Sequence, residues 1–151
     1  MVSGALRLTP DEWMIPLFGE PGVGGKRNVL EGRFVWLALS ALRLGVSVVL
    51  DFGVWAKEER SALRALAASV GATCELVYLE VDEAEQWRRV QERSLTDPGN
   101  TFPMDEADLA RFRRIFQLPD TTELESTSVD PPPPGFDSWA AWAAKWWPTS
   151  I

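Results

Sequence analysis

The sequence predicts an α/β fold in which a parallel sheet is flanked by helices. Short apolar runs at residues 5–8, 46–50 and 74–79 alternate with stretches whose apolar residues fall at helical spacing. The middle run, Val46-Ser47-Val48-Val49-Leu50, is almost entirely apolar, which suits a parallel strand covered on both faces. Gly45 and Gly71 sit where a helix must stop before the next run begins. Strands and helices alternating in this way imply right-handed crossovers within one sheet. Ligands of such sheets bind beyond the carboxyl ends of the strands. Thr9–Asp11, Asp51–Gly53 and Val81–Asp82 are therefore the places to look for chemistry.

Taken in order, Ala5 to Leu8 reads as the first strand. Thr9 then stands as an N-cap, Pro10 at the first helical position and Glu12 where a capping box needs an acid. Pro16 ends or bends this helix, and a glycine-rich loop follows from Gly19 to Gly25. Asn28 caps the next helix, which runs to about Leu44 with Leu30, Phe34, Leu37, Ala38 and Ala41 along one face. The strand ending at Leu50 leads into Asp51-Phe52-Gly53. Helical spacing returns from Lys57 to Val70, and Cys74 to Leu79 reads as a third strand. Asp82 caps a helix ending near Ser94. Residues 96–104 form a loop containing Asp97-Pro98-Gly99-Asn100, and Asp105 caps a helix through Phe116. Pro131 to Pro134 form a stiff polyproline linker. A last short helix carries Trp139, Trp142, Trp146 and Trp147.

Composition narrows the chemistry. The 151 residues make one domain's worth of chain. An apolar fraction of 46% is enough for a core. The net charge of −7 argues against general nucleic-acid binding. The chain has no histidine, which excludes Ser-His-Asp hydrolases, Cys-His proteases and histidine-ligated zinc. With one cysteine, Cys74, no internal disulfide or CxxC metal site can form. No secretory signal and no apolar stretch of membrane-spanning length stands out, so a cytoplasmic protein without membrane contact is expected.

Gly19 to Arg27 has the look of a phosphate-binding loop, but the spacing differs. A Walker A motif places glycine six residues before its lysine, and Glu20 stands six before Lys26. Arg27 follows the lysine where a magnesium-binding hydroxyl belongs, and the stretch follows a helix rather than a strand. A surface loop is the favoured reading, with Lys26 and Arg27 available to an anionic substrate. Asp11, in the first turn after a strand, either orients a substrate hydroxyl and takes its proton or complements a helix dipole. Asp51 ends a buried strand, the pattern that holds magnesium in nucleotide enzymes, and equally an ordinary turn residue. Arg60 lies two helical turns further on, where it can pair with an acid or a phosphate. Six of the twelve arginines, Arg88, Arg89, Arg93, Arg111, Arg113 and Arg114, flank the 95–104 loop. They form either a phosphate clamp or a solvated face paired with Glu85, Glu92, Asp105 and Glu106. The tryptophans of the tail dock on the domain or present a partner surface.

Three segments resemble the P-loop kinase-like group of AAA family ATPases, whose relatives include polynucleotide kinases, zeta toxins and chloramphenicol phosphotransferase. They are Leu6 to Trp13; Val48 to Gly53 with Trp55, Glu59 and Arg60; and Leu76 to Leu79 with Arg88, Arg89 and Arg93, followed by Phe102-Pro103-Met104. The likeness spans about residues 5–125. It implies a three-layer α/β fold of the P-loop nucleoside-triphosphate hydrolase type. The family places a strand, Gly-x-x-Gly-x-Gly-Lys-(Ser/Thr) and a helix ahead of the segment matching Leu6 to Trp13, so the first strand and helix are expected to be missing here. It further implies ATP and magnesium as cofactors and a small-molecule or nucleotide hydroxyl as acceptor. In that scheme Asp11 orients or deprotonates the acceptor, Asp51 lies at the magnesium, and Arg89 and Arg93 act on the transferring phosphoryl group, with Arg88 and Arg60 near the cofactor phosphates. The expected organisation is an incomplete kinase-like domain over 1–125, a linker over 126–135 and a tryptophan helix over 136–151. The expected function is an ATP-dependent phosphotransferase by ancestry, inactive as this chain. The alternative is a non-catalytic binding module that keeps the fold, with self-association open to it.

Overall fold

The computed structural model describes residues 4–20, 24–99, 101–125 and 128–151. It is a mixed α/β structure. Strand β1 (Leu6–Leu8) pairs in parallel with β2 (Val48–Leu50), in the register Leu6↔Val48, Arg7↔Val49 and Leu8↔Leu50. Between them lie α1 (Pro10–Phe18) and the long α2 (Lys26–Arg43). After β2 come α3 (Lys57–Ser69), α4 (Glu83–Thr96), α5 (Glu106–Ile115), the short α6 (Thr121–Glu125) and α7 (Trp139–Trp146).

Helix α2 organises the molecule because it is apolar on two adjacent faces. Leu30, Phe34 and Ala38, each four residues on from the last, join Leu8 of β1 and Met14 of α1 in one core, with Val48 and Leu50 packed against it. Val35 and Leu39, one step round the helix, join Ala62 and Leu66 of α3 and Trp139, Trp142, Ala143 and Trp147 of the tail in a second. The tail thus fills a core rather than extending from it. Ser138 caps α7 by accepting from the Ala141 N–H at 3.1 Å, and the Trp139 indole N–H donates to the Asp130 carbonyl at 2.8 Å. Gly32, inside α2, is where the chain returns closest. A Cβ there would run into the Pro148 carbonyl oxygen and lie 3.0 Å from that of Trp147.

The helix stops fall where the sequence puts them. Gly45 and Gly71 have φ of 77° and 76°, a left-handed conformation that costs glycine little. Asp82 and Asp105 accept from the N–H groups of Glu85 and Asp108. Other expectations are corrected. Thr9 makes no side-chain cap, and the Glu12 carboxylate, expected to complete a capping box, is engaged by Arg7 instead. Pro16 lies inside α1, which runs two residues further to Phe18 and closes at Gly19, φ 74°. Helix α2 starts at Lys26 behind Gly25, two residues ahead of Asn28.

The larger correction is the third strand. Cys74 to Leu79 forms no strand and pairs with nothing among the described residues, although Ala72, Cys74 and Leu76 are half-buried in alternation. Val77 and Leu79 are left 69% and 78% exposed. β-propensity describes a fit to a paired surface and cannot create the pair. The sheet the described residues build is therefore two-stranded.

Candidate functional site

Parallel pairing brings the two expected acids to one edge. Asp51 follows β2 directly, and its N–H donates to the Leu8 carbonyl at 2.9 Å. Asp11 sits three residues past Leu8, in the first turn of α1. Each carboxylate is held by an arginine. Arg7 donates to Asp51 at 2.8 Å and to Glu12 at 2.5 Å. Arg27 donates to Asp11 at 2.9 Å and to Glu31, one turn along α2, at 3.0 Å. The hydrogen bonds it donates to Glu12 and Asp51 hold the Arg7 guanidinium above its usual pKa. Arg7, Asp11 and Asp51 are at least half exposed, so these pairs orient side chains more than they stabilise the fold. Leaving Asp11, the Arg27 arm reaches a drier place. The Glu31 side chain is 13% exposed, and burial pushes its pKa up against the pull of Arg27.

That drier place is a cavity of about 340 Å³ between the start of α2, the β2–α3 connection and α7. Arg27, Asn28 and Glu31 form one wall, and Gly53, Trp55, Ala56 and Glu59 form a second. Trp142, Trp146 and Trp147 of the tail line a third side and leave it partly open. Glu59 is held by its place in α3, where its carboxylate accepts from the Ala56 N–H at 2.8 Å. Burial raises its pKa too. Trp55 is fixed from below by Gly53, since a Cβ at residue 53 would lie 2.6 Å from the indole nitrogen, and from the side by the rings of Phe112 and Phe116 at 5.3 and 6.2 Å.

A family model described as AAA domain matches residues 2–119, most of the chain. The chain belongs to the AAA domain family. It is a P-loop kinase-like AAA domain, as the order of its strand-end acids suggests. No curated protein and no solved structure matches it. Nucleotide binding and the P-loop nucleoside-triphosphatase fold are what membership of this family suggests.

Within this AAA domain the arginines divide. Arg60 is 3% exposed and buried as an ion pair: Nε and Nη2 donate to the two oxygens of Glu123 at 2.8 and 3.2 Å, and Nη1 to the Val54 carbonyl at 3.2 Å. Arg64 donates to the Glu123 backbone carbonyl. The expected cofactor role of Arg60 therefore meets a structural one, clamping α6 to α3 with no donor edge turned to a ligand. Arg88 and Arg89 lie on the exposed face of α4, both bonded to Glu85, at 2.7 and 2.6 Å, and Arg88 also to Glu92 at 2.9 Å. These bonds bring the Glu85 carboxyl down to about 2. Arg93 is exposed further along the same helix. Arg113 reaches Gln86 at 3.0 Å and ties α5 to α4. Arg88, Arg89, Arg111 and Arg113 are thus each paired with an acid of α4 or α5.

Among the described residues no group of three or more acidic or cysteine side chains could hold a metal. No helix of the described residues is long and apolar enough to cross a membrane. The glycine-rich stretch follows α1, and Gly24 and Gly25 at its end are left-handed, with φ of 47° and 79°. Its centre, residues 21–23, lies outside the described residues. Sequence reasoning misses Arg7, Glu31 and Glu59. Glu31 is open to discovery as the i+4 partner of Arg27 on one helix. Glu59 is in view only as part of a likeness, with nothing to show that α7 covers it.

Proposed function

We propose that this AAA domain is the acceptor side of an ATP-dependent phosphotransferase acting on a small-molecule or nucleotide hydroxyl. The observation that supports it is the placement of Asp11 and Asp51 together beyond the carboxyl ends of two parallel strands, the position where such sheets bind ligands. Asp11, exposed and held by Arg27, orients an acceptor hydroxyl and takes its proton. ATP with magnesium supplies the phosphoryl group. Magnesium needs one or two carboxylates alongside phosphate oxygens and water, which fits Asp51 once Arg7 releases it. Arg89 and Arg93 act as lid arginines and Arg88 meets the cofactor phosphates, with Arg88 and Arg89 exchanging Glu85 for phosphate oxygens, a trade between like acceptors.

The 151 residues contain no Gly-x-x-Gly-x-Gly-Lys-(Ser/Thr). The backbone cradle, the lysine and the hydroxyl ligand supply most of the charge stabilisation in phosphoryl transfer. Residues 1–151 alone therefore bind ATP and magnesium no tighter than about millimolar and show no turnover. Calorimetry on the chain and on a form with a strand, phosphate loop and helix placed ahead of it tests this. The expected result is weak binding in the first and micromolar binding with turnover in the second. Micromolar binding by the chain itself would assign the cradle to Gly19–Lys26. A loop-bearing form that binds ATP without transferring phosphate to any hydroxyl would favour the second reading, a non-catalytic module. The pairing of both acids with arginines is the observation on that side.

A further inference from the structure

The tryptophan-walled cavity has a charge balance that the phosphotransferase reading does not use. Two carboxylates, Glu31 and Glu59, face it against one guanidinium, Arg27. Arg27 is shared between Glu31 and Asp11, at 3.0 and 2.9 Å. Glu59 has no ion-pair partner among the described residues, and it is held by backbone N–H groups, that of Ala56 at 2.8 Å. The nearest cation in sequence, Arg60, is buried against Glu123. Arg60 offsets part of the Glu59 charge from a distance, while Glu58 and Glu31 add negative charge around it. A half-buried carboxylate with no cation bonded to it is a costly arrangement that a positively charged ligand relieves.

The rest of the wall narrows the ligand. Trp55, Trp142 and Trp146 line the same space, and indole is the aromatic surface most attractive to a cation. The tail already shows this preference, with the Lys145 ammonium 5.0 Å from the Trp146 ring centroid. A divalent metal would need several oxygen ligands, and the described residues gather no such set. An anion would meet two carboxylates. A neutral apolar molecule would leave Glu59 uncompensated. An ammonium group carrying apolar substituents satisfies both the carboxylate and the indoles, and a small one fits 340 Å³.

We propose that the cavity bounded by Glu59, Glu31, Trp55, Trp142 and Trp146 is a binding site for an organic ammonium cation. The proposal concerns binding alone and does not depend on phosphoryl transfer.

The test uses the full chain without nucleotide, and choline chloride as the probe. Tryptophan fluorescence and calorimetry follow binding against 3,3-dimethyl-1-butanol, which has the same shape without the charge, and against sodium chloride at matched ionic strength. The expected result is saturable choline binding of about millimolar affinity or tighter, with the neutral analogue weaker by about ten-fold or more. Glu59→Gln keeps an acceptor for the Ala56 N–H and should weaken choline by about ten-fold while leaving the neutral analogue unchanged. Trp146→Ala, at a half-exposed position that carries little of the fold, should also weaken choline. The proposal is overturned if choline does not saturate, if the neutral analogue binds equally well, or if both variants bind choline as the parent does. Because no nucleotide is present, none of these outcomes bears on the phosphotransferase reading.

Discussion

Gly32→Ala is the sharpest test of how the tail is held. Glycine in the middle of an 18-residue helix is unfavourable, and replacing it with alanine ordinarily gains about 1 kcal/mol. Here the added methyl would overlap the Pro148 carbonyl oxygen and press on that of Trp147 at 3.0 Å. Both obstacles are backbone, so no rotamer change relieves them, and overpacking of this kind costs about 1–3 kcal/mol. Overpacking outweighs the gain in helix propensity, and the variant should lose about 1 kcal/mol, or about 3 °C in Tm for a chain of this size. The same substitution in a chain ending at residue 146 meets neither carbonyl. There it should stabilise by up to about 1 kcal/mol. Urea unfolding followed by tryptophan fluorescence measures both, since Trp139 and Trp142, buried beside α2, are present in each. Stabilisation of the full chain by Gly32→Ala would refute the packing of the chain end on α2.

Four further outcomes follow from the same structure. Trp142→Ala, at a 4% exposed position between α3 and α7, should cost about 3–5 kcal/mol in denaturant unfolding. Deleting residues 131–151 should cost at least as much or cause aggregation. Glu123→Ala leaves Arg60 charged and buried, and should cost about 3–5 kcal/mol, with α6 released from α3. The raised carboxyl pKa of Glu59, caused first by burial, means that the folded state holds this proton more tightly than the unfolded one. Stability from that group is present below about pH 4.3 and is lost as pH rises through the folded pKa. Glu59→Gln should therefore match the parent in acid and exceed it at pH 7, which Tm measured across that range will show.

The helices are legible in the sequence because their signals are local. Leu30, Phe34 and Ala38 mark a face of α2, Asp82 and Asp105 mark starts, and Gly45 and Gly71 mark stops. The tail helix is legible for the same reason, and its docking follows from the size of its apolar stripe. The third strand is not, because Cys74 to Leu79 reads as a strand by composition while strand formation depends on a partner that local sequence does not supply. At the site, Asp11 and Asp51 stand out by their positions after apolar runs, and the parallel register brings them to one edge. The buried role of Arg60 is hidden because its place in the first turn of α3 does not reveal which acid it meets. Its partner Glu123 lies 63 residues away in a helix too short to show a period. The cavity is invisible for the same long-range reason, since its walls come from α2, α3 and α7.

Asp11 is either the group that takes the acceptor's proton or a partner of Arg27 and nothing more. The direct measurement is phosphoryl transfer by the loop-bearing protein with Asp11 and with Asp11→Asn, together with a melting curve for each. Asparagine preserves the shape and an acceptor for Arg27 but cannot take a proton. A proton-accepting Asp11 predicts a fall in turnover of about 10²–10⁴ with little change in Tm. Equal turnover in the two proteins, with Asp11→Ala lowering Tm, would contradict it and leave Asp11 as a helix-terminal partner of Arg27 alone.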